Sequence, residues 1–301
     1  MTEPLFRLAG RLPLIAVQAL GGLLGWTAYA LAPRYRRRLR ENLRAAALCP
    51  DPRAFEAMAR SAAAHAGKSV AELLVVWLRP LPSLARLVRA TAGWEHVEAA
   101  QQAGRGIIFL TPHMGCFEIT SLYYGRTHPI TVLYRPPRKA RLEPLMLRGR
   151  RRGGVTLAPT DMKGVRALLS ALKRGEAIGM LPDQVPSRGE GVWVDFFGRP
   201  AYTMTLAARL AETTGATLLL AYARRLNYGR GFELRIEPVR ERWPVPKEAA
   251  ATALNRAVEG LIAQCPEQYL WSYNRYKVPR GVEPPARAAG GEGRAGEALG
   301  R

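Results

Sequence analysis

Sulfur and imidazole are scarce in this chain. Its three cysteines, Cys49, Cys116 and Cys265, are an odd number, widely spaced and without a C-x-x-C pair, so no disulfide framework is expected and a reducing compartment is the default. The four histidines, His65, His96, His113 and His128, form no H-E-x-x-H and no paired cysteine site, which argues against a zinc centre. No G-x-S-x-G elbow is present, so the usual serine hydrolase arrangement is missing. Gly104-Arg105-Gly106 precedes an apolar run instead of following one and lacks a third glycine, and there is no P-loop; no nucleotide cofactor is indicated. Acid is also short, with 24 Asp and Glu against 45 Lys and Arg, a formal charge of +21 over 301 residues. Such an excess calls for an anionic partner, and its sign fits nucleic acid, an anionic bilayer, a phosphorylated lipid or an acidic protein equally well. A membrane-tethered nucleic-acid binder is the remote alternative: aromatics are not interleaved with the arginines and no reader motif exists.

What the chain does have is an uncharged run from Leu12 to Pro33, close to the roughly 20 residues needed to cross a bilayer as a helix. Arg34, Arg36, Arg37, Arg38 and Arg40 follow at once, which argues against signal-peptide cleavage and puts the remaining chain on the cytoplasmic side. Pro13 and the glycines at 21, 22 and 25 keep open a second reading, a helix lying in the headgroups or a buried hairpin. The arginines either meet anionic headgroups or form a solvated helix face.

Past the anchor, apolar residues from Pro52 to Leu78 recur at helical spacing, and Pro80 and Pro82 end that pattern. Strand-length apolar runs follow at 106–111, 130–134, 155–159, 177–181, 216–222 and 232–237. Helical patterns lie at 94–102, 117–124, 140–151, 161–174, 204–214 and 248–264. The alternation predicts an α/β layered sandwich with a central mixed, largely parallel sheet flanked by helices, plus an N-terminal membrane helix. The expected organisation is an anchor over 1–33, a catalytic domain over 34–278 and a Pro/Gly/Ala-rich tail over 279–301 with too little apolar surface to order itself.

Three stretches carry chemistry. In the first, Pro112 ends a buried strand and His113 sits at its carboxyl end, with Glu118 returned to the same neighbourhood by the helix that follows. An imidazole whose second nitrogen meets a carboxylate is a general base able to activate a hydroxyl against a thioester, with no covalent enzyme intermediate. Cys116 is a competing nucleophile, and buried cysteines are more often inert. The second stretch is basic, from Arg135 through Arg138, Lys139 and Arg141 to Arg148, Arg150, Arg151 and Arg152; some of these side chains can hold phosphates and the others form a solvated face. The third holds Asp183 and Gln184 at a strand end, then an aromatic loop with Phe196 and Phe197, which are either an acyl-chain wall or ordinary core. Asp183 is expected to position Arg135 or a sugar hydroxyl.

Taken in order, the anchor with RYRRRLRENL at 34–43, HMGCFE at 113–118, YRP at 134–136, GRRR at 149–152, DMKG at 161–164, PDQ at 182–184, DFFGRPA at 195–201, EQYLW at 267–271 and RYK at 275–277 resemble the lipid A biosynthesis acyltransferase family. The likeness covers most of the chain. It implies His113 and Glu118 as the catalytic H-x4-D/E pair and Arg135, Arg152 and Asp183 as substrate-site residues, with Gln184 beside the last. It further implies acyl-acyl carrier protein as donor, or acyl-CoA, and no other cofactor. The implied acceptor is an anionic glycolipid, a Kdo-bearing lipid A precursor, or in the alternative a phosphatidylinositol mannoside. The implied location is the cytoplasmic face of a bacterial inner membrane. Cys116 stands where the family often carries a polar Asn.

Overall fold

The computed structural model describes residues 12–137, 142–239 and 246–285. The described residues open with α1 (Leu14–Leu31), α2 (Pro33–Ala45), α3 (Pro52–Leu78) and a short α4 (Leu81–Ala85). Asp51 caps α3 by accepting from the Ala54 amide at 2.8 Å, and Pro52 occupies the first turn, where its missing N–H costs nothing. The body then alternates β1 (Val88–Ala92), α5 (Trp94–Ala103), β2 (Ile107–Leu110), α6 (Phe117–Tyr124), β3 (Ile130–Tyr134), α7 (Glu143–Arg150), β4 (Val155–Pro159), α8 (Met162–Lys173) and β5 (Ala177–Met180). A hairpin of β6 (Gly191–Phe196) and β7 (Arg199–Met204) precedes α9 (Leu206–Thr214), β8 (Thr217–Arg225), β9 (Phe232–Pro238) and α10 (Lys247–Ala263).

The seven-stranded sheet runs β1-β9-β8-β2-β5-β3-β4. From β8 to β4 the strands are parallel; β9 pairs antiparallel with β8 and β1 parallel with β9. The expected mixed, largely parallel α/β sandwich is therefore the fold. Two apolar layers cover its faces: Ile108 and Leu110 point to the side of α8, α9 and α10, while Ile107 and Phe109 point to the side of α5 and α6. Opposite projection of neighbouring residues is the strand's period of two, and it makes β2 buried on both faces.

Three elements differ from the sequence expectation. β1 is short, mostly exposed and poor in apolar residues, so it joins the sheet edge through pairing with β9 and not through its own pattern. The aromatic loop is the β6–β7 hairpin, turned at Phe197 and Gly198, both with positive φ; Phe196 is 2% exposed and belongs to the core. Part of the tail is engaged, since Trp193 Nε1 donates to the Glu283 carbonyl at 2.9 Å; residues 286–301 lie outside the described residues.

Helix α1 is long and apolar enough to cross a membrane, yet one side of it is packed on α3. A Cβ on Gly25 would come within 2.1 Å of the Ala63 carbonyl oxygen, and one on Gly67 within 2.0 Å of the Gly21 carbonyl oxygen. The glycines thus let two backbones touch. The other side exposes Ile15, Leu20, Leu23, Leu24 and Trp26, each more than half accessible at 52–57%.

Candidate active site

Strand register builds the site. Leu110 of β2 pairs with Met180 of β5, and the Thr111 amide still bonds the Met180 carbonyl at 3.0 Å. Three residues beyond each of those paired positions stand His113 and Asp183, side by side at the carboxyl edge where parallel sheets place their ligands. Asp183 Oδ1 lies 2.9 Å from His113 Nδ1 and Oδ2 accepts the His113 backbone N–H at 2.9 Å. Gln184 Nε2 stands 3.0 Å from His113 Nε2. The anionic carboxylate takes the Nδ1 proton and the Gln184 amide donates to the other nitrogen, so Nε2 carries the lone pair. Burial pushes the Asp183 carboxyl up, but the His113 ring and amide outweigh it and hold it below the usual value. The Tyr269 hydroxyl is hydrogen-bonded to Asp183 as well, and burial together with that carboxylate raises its pKa well above the ordinary value.

The carboxylate on the imidazole is therefore Asp183, whereas the sequence pointed to Glu118. Glu118 lies in the first turn of α6 and faces α7: it accepts Arg150 Nε at 2.8 Å, pairs with Arg150 Nη2 and accepts Trp77 Nε1 at 3.3 Å. The spacing of the motif placed Glu118 in the right neighbourhood, but a helix starting at Phe117 rotates its side chain towards α3 and α7. Arg150 also lies over the rings of Trp77 and Tyr134, at 5.8 and 5.9 Å from their centroids.

An apolar cavity lies beside Glu118 and Arg150. Thr111, Phe117 and Leu181 line it with them, and the His113 ring, itself outside the lining, packs on Phe117 with centroids 4.8 Å apart. From there it runs under α5 and α6 along one sheet face, floored by Leu157, Val132, Gly179, Phe109, Ala221, Leu234 and Ile236. Those residues come from six successive strands, β4 to β9, so at about 4.8 Å per strand the floor spans roughly 24 Å. Gly179, without a side chain in mid-strand, keeps the floor low: a Cβ there would meet Val132 Cγ2 at 3.4 Å and Ile130 Cδ1 at 3.6 Å, an ordinary contact that would narrow the channel.

A histidine–aspartate pair packed on the wall of an apolar cavity suits work on a long apolar group, and known proteins of similar sequence are acyltransferases. Residues 5–278 match the family described as bacterial lipid A biosynthesis acyltransferase. The chain belongs to that family. It is 31% identical over 219 residues to the lipid A biosynthesis lauroyltransferase of Escherichia coli (strain K12), covering 72% of this chain and 71% of that one. It is 29% identical over 214 residues to the lipid A biosynthesis palmitoleoyltransferase of the same strain, covering 70% and 69%. A phosphatidylinositol mannoside acyltransferase of Mycobacterium tuberculosis is 26% identical over 153 residues, 50% of this chain and 48% of its own.

In this member of the family the other expected site residues are spread. Arg135 follows β3 directly and is exposed. Arg152 differs from expectation, because its guanidinium is taken up by backbone carbonyls: those of Val76 and Arg79 at the end of α3, and that of Gly149 at 2.7 Å. It closes the carboxyl end of α3, where orphan carbonyls need donors. Arg138, Lys139 and Arg141 lie outside the described residues. Cys116 is fully buried, and burial, with Glu72 next, pushes its thiol well above the ordinary pKa, so it is no ready nucleophile. Arg150, Trp77 and Tyr269 escaped sequence reasoning as partners, since each reaches the site from a segment far away in the chain.

Proposed function

We propose that the protein transfers a fatty acyl chain from acyl-acyl carrier protein to a hydroxyl of an anionic Kdo-lipid A precursor, with His113 as general base. The observation that carries this is the apolar cavity lined by Glu118 and Arg150, whose Phe117 wall packs on the ring of the His113–Asp183 pair. Its apolar floor, made by residues of six strands, suits an acyl chain laid along it. With the chain inside, its thioester carbonyl comes to rest at the Phe117 side, next to His113.

His113 Nε2 then removes the proton of the acceptor hydroxyl, displacing the Gln184 amide from that lone pair. The oxygen attacks the thioester carbon, the carbon–sulfur bond breaks, and the imidazolium returns the proton to the departing thiolate. Asp183 holds the ring and stabilises the cation, as an orienting carboxylate does. Glu118, the second member of the motif, acts by fixing Arg150 in the cavity wall, where the guanidinium nitrogen left over from the ion pair can meet the oxyanion.

The exposed apolar face of α1 and the arginines of α2 suit the surface of an anionic inner membrane, with the site open to the cytoplasm. Because α1 is docked on α3, which carries Arg53, Glu56, Arg60 and Lys68, lipid can reach α1 on one side; that supports lying in the interface over crossing it. The +21 charge suits both an acidic carrier protein and a phosphorylated acceptor.

The test is transfer to radiolabelled Kdo-lipid A precursor and to phosphatidylinositol mannoside from a panel of acyl carriers and acyl-CoAs, repeated with His113→Ala. Product from acyl carrier protein on the lipid A precursor, lost in the variant, is expected. Turnover by His113→Ala at the wild-type rate removes the mechanism, and turnover on the mannoside alone replaces the acceptor.

A further inference from the structure

A second ionic cluster lies buried behind the catalytic loop, and the reaction scheme does not use it. Arg225, at the end of β8, is 4% exposed, and Glu72 on α3 is 1% exposed. Arg225 Nε and Nη2 donate to the two Glu72 oxygens at 2.6 and 2.7 Å. Nη1 donates to His65 Nδ1 at 2.9 Å, and Nη2 is shared with Ser69 Oγ at 3.0 Å and the Gly115 carbonyl at 2.9 Å, a carbonyl to which Ser69 Oγ itself donates at 3.2 Å. From the other side, Gln18 on α1 donates to Glu72 Oε1 at 2.8 Å. Burial, helped by the Arg225 and Lys68 charges, drops His65 to about 3, so it is neutral and can accept.

A buried ion pair is seldom kept for stability, since apolar replacements of similar size often serve as well or better. What such a pair supplies here is a rigid fork aimed at one carbonyl. Gly115 lies two residues beyond His113, with φ +58° and its backbone so close to β8 that a Cβ would stand 2.1 Å from the Ala223 carbonyl oxygen. Its amide donates to the Gln268 carbonyl at 3.0 Å, the next amide to Ala223 at 2.9 Å, and the His113 carbonyl accepts from Leu270 at 3.0 Å. The Gln268 side chain closes the ring by bonding both the amide and the carbonyl of Arg225. The loop that aims the imidazole is thus clamped at consecutive backbone groups, and Arg225 is the clamp that continues to the apolar helix.

We propose that Arg225 is a positioning residue for acyl transfer: it holds the Gly115 carbonyl and so the His113 loop, and through Glu72 and Gln18 it couples that loop to the seating of α1. The kinetic part of this rests on the acyltransferase reading above. The test uses the full chain in detergent and lipid, with kcat, KM and amide hydrogen exchange of a peptide spanning 107–118. The paired variant Glu72→Met/Arg225→Met leaves no lone charge; it is expected to keep its melting temperature within a few degrees, exchange the Gly115 and Cys116 amides faster, and lose about 10–100-fold in kcat with KM unchanged. Wild-type kcat and exchange in the folded pair overturn the proposal. Should the pair not fold, Ser69→Ala decides, for it removes a partner of both Arg225 and the Gly115 carbonyl and leaves no charge: a several-fold loss of kcat with faster loop exchange supports the role, and neither change overturns it. Gln18→Leu tests the link to α1, with faster exchange at 113–116 expected and unchanged exchange refuting that link. A wild-type protein without transferase activity would fail the substrate reading alone, since the exchange experiment still reads the clamp.

Discussion

Replacing Asp183 by Asn is the most discriminating single change, because the site leaves an amide no acceptable orientation. Oδ1 of Asp183 takes the ring Nδ1 proton and Oδ2 takes the His113 backbone proton, both at 2.9 Å. An amide that turns its oxygen to the ring sets NH2 against the backbone N–H, donor against donor. Turned the other way, it donates to Nδ1 and moves the proton to Nε2, where the Gln184 amide already donates and where the lone pair is needed. Losing a correctly presented base typically costs about 10²–10⁴ in rate, or roughly 3–5 kcal/mol at 1.36 kcal/mol per decade. The loss is expected in kcat, measured by single-turnover transfer at saturating donor, with KM little changed because Asp183 is 4% exposed and out of reach of the acceptor. The circular dichroism spectrum should be unaltered. A folded Asp183→Asn enzyme retaining kcat within about threefold of wild type would refute the orienting role and return the task to Glu118.

Gly179→Leu should narrow the channel midway and shift preference to shorter acyl donors, by about 10–100-fold between chain lengths that differ by a few carbons, in a competition assay with mixed donors; an unchanged product profile would show that the chain lies elsewhere. Glu118→Ala leaves the Arg150 guanidinium without its counter-ion and should cost about 2–4 kcal/mol in denaturant unfolding, most of it recovered in Glu118→Met/Arg150→Met, which should still fail to turn over. His65 binds its proton far more weakly in the fold, at about 3 against an ordinary 6.5, so the unfolded chain protonates first as the pH falls. Stability from that neutral ring is present above about 6.5 and drains away towards 3; we expect a loss of about 2 kcal/mol between pH 7 and 5 that His65→Asn flattens, measured by urea melts at each pH. Leu23→Glu/Leu24→Glu, on the exposed side of α1, should release the protein from anionic vesicles in a flotation assay without lowering its melting temperature, and retained binding would move the lipid contact away from α1.

Local pattern made much of this molecule legible. The strand runs at 130–134 and 155–159 and the helices at 52–78 and 117–124 coincide with observed elements, because each has a burial pattern that its own residues enforce. β1 escaped notice for the converse reason: an exposed edge strand takes its structure from β9. The positions of His113 and Asp183 at strand ends were also readable, since Pro112 and Pro182 mark where the apolar runs stop.

Which of them meet was not readable. A linear sequence orders residues along one axis, and the pairing of His113 with Asp183 depends on β2 lying beside β5 in a particular register, the two residues being 70 positions apart. The same holds for Glu118, sent to Arg150 by the rotation of α6, and for Arg152, whose donors are claimed by the end of α3. The glycines of α1, which in the sequence only weaken a span, become a docking face once Ala63 and Gly67 are opposite them. Composition and motif order thus determined the family, the sheet and the chemical vocabulary. Tertiary packing decided which carboxylate faces the imidazole and where the apolar cavity lies, because those are contacts across elements that no local propensity encodes.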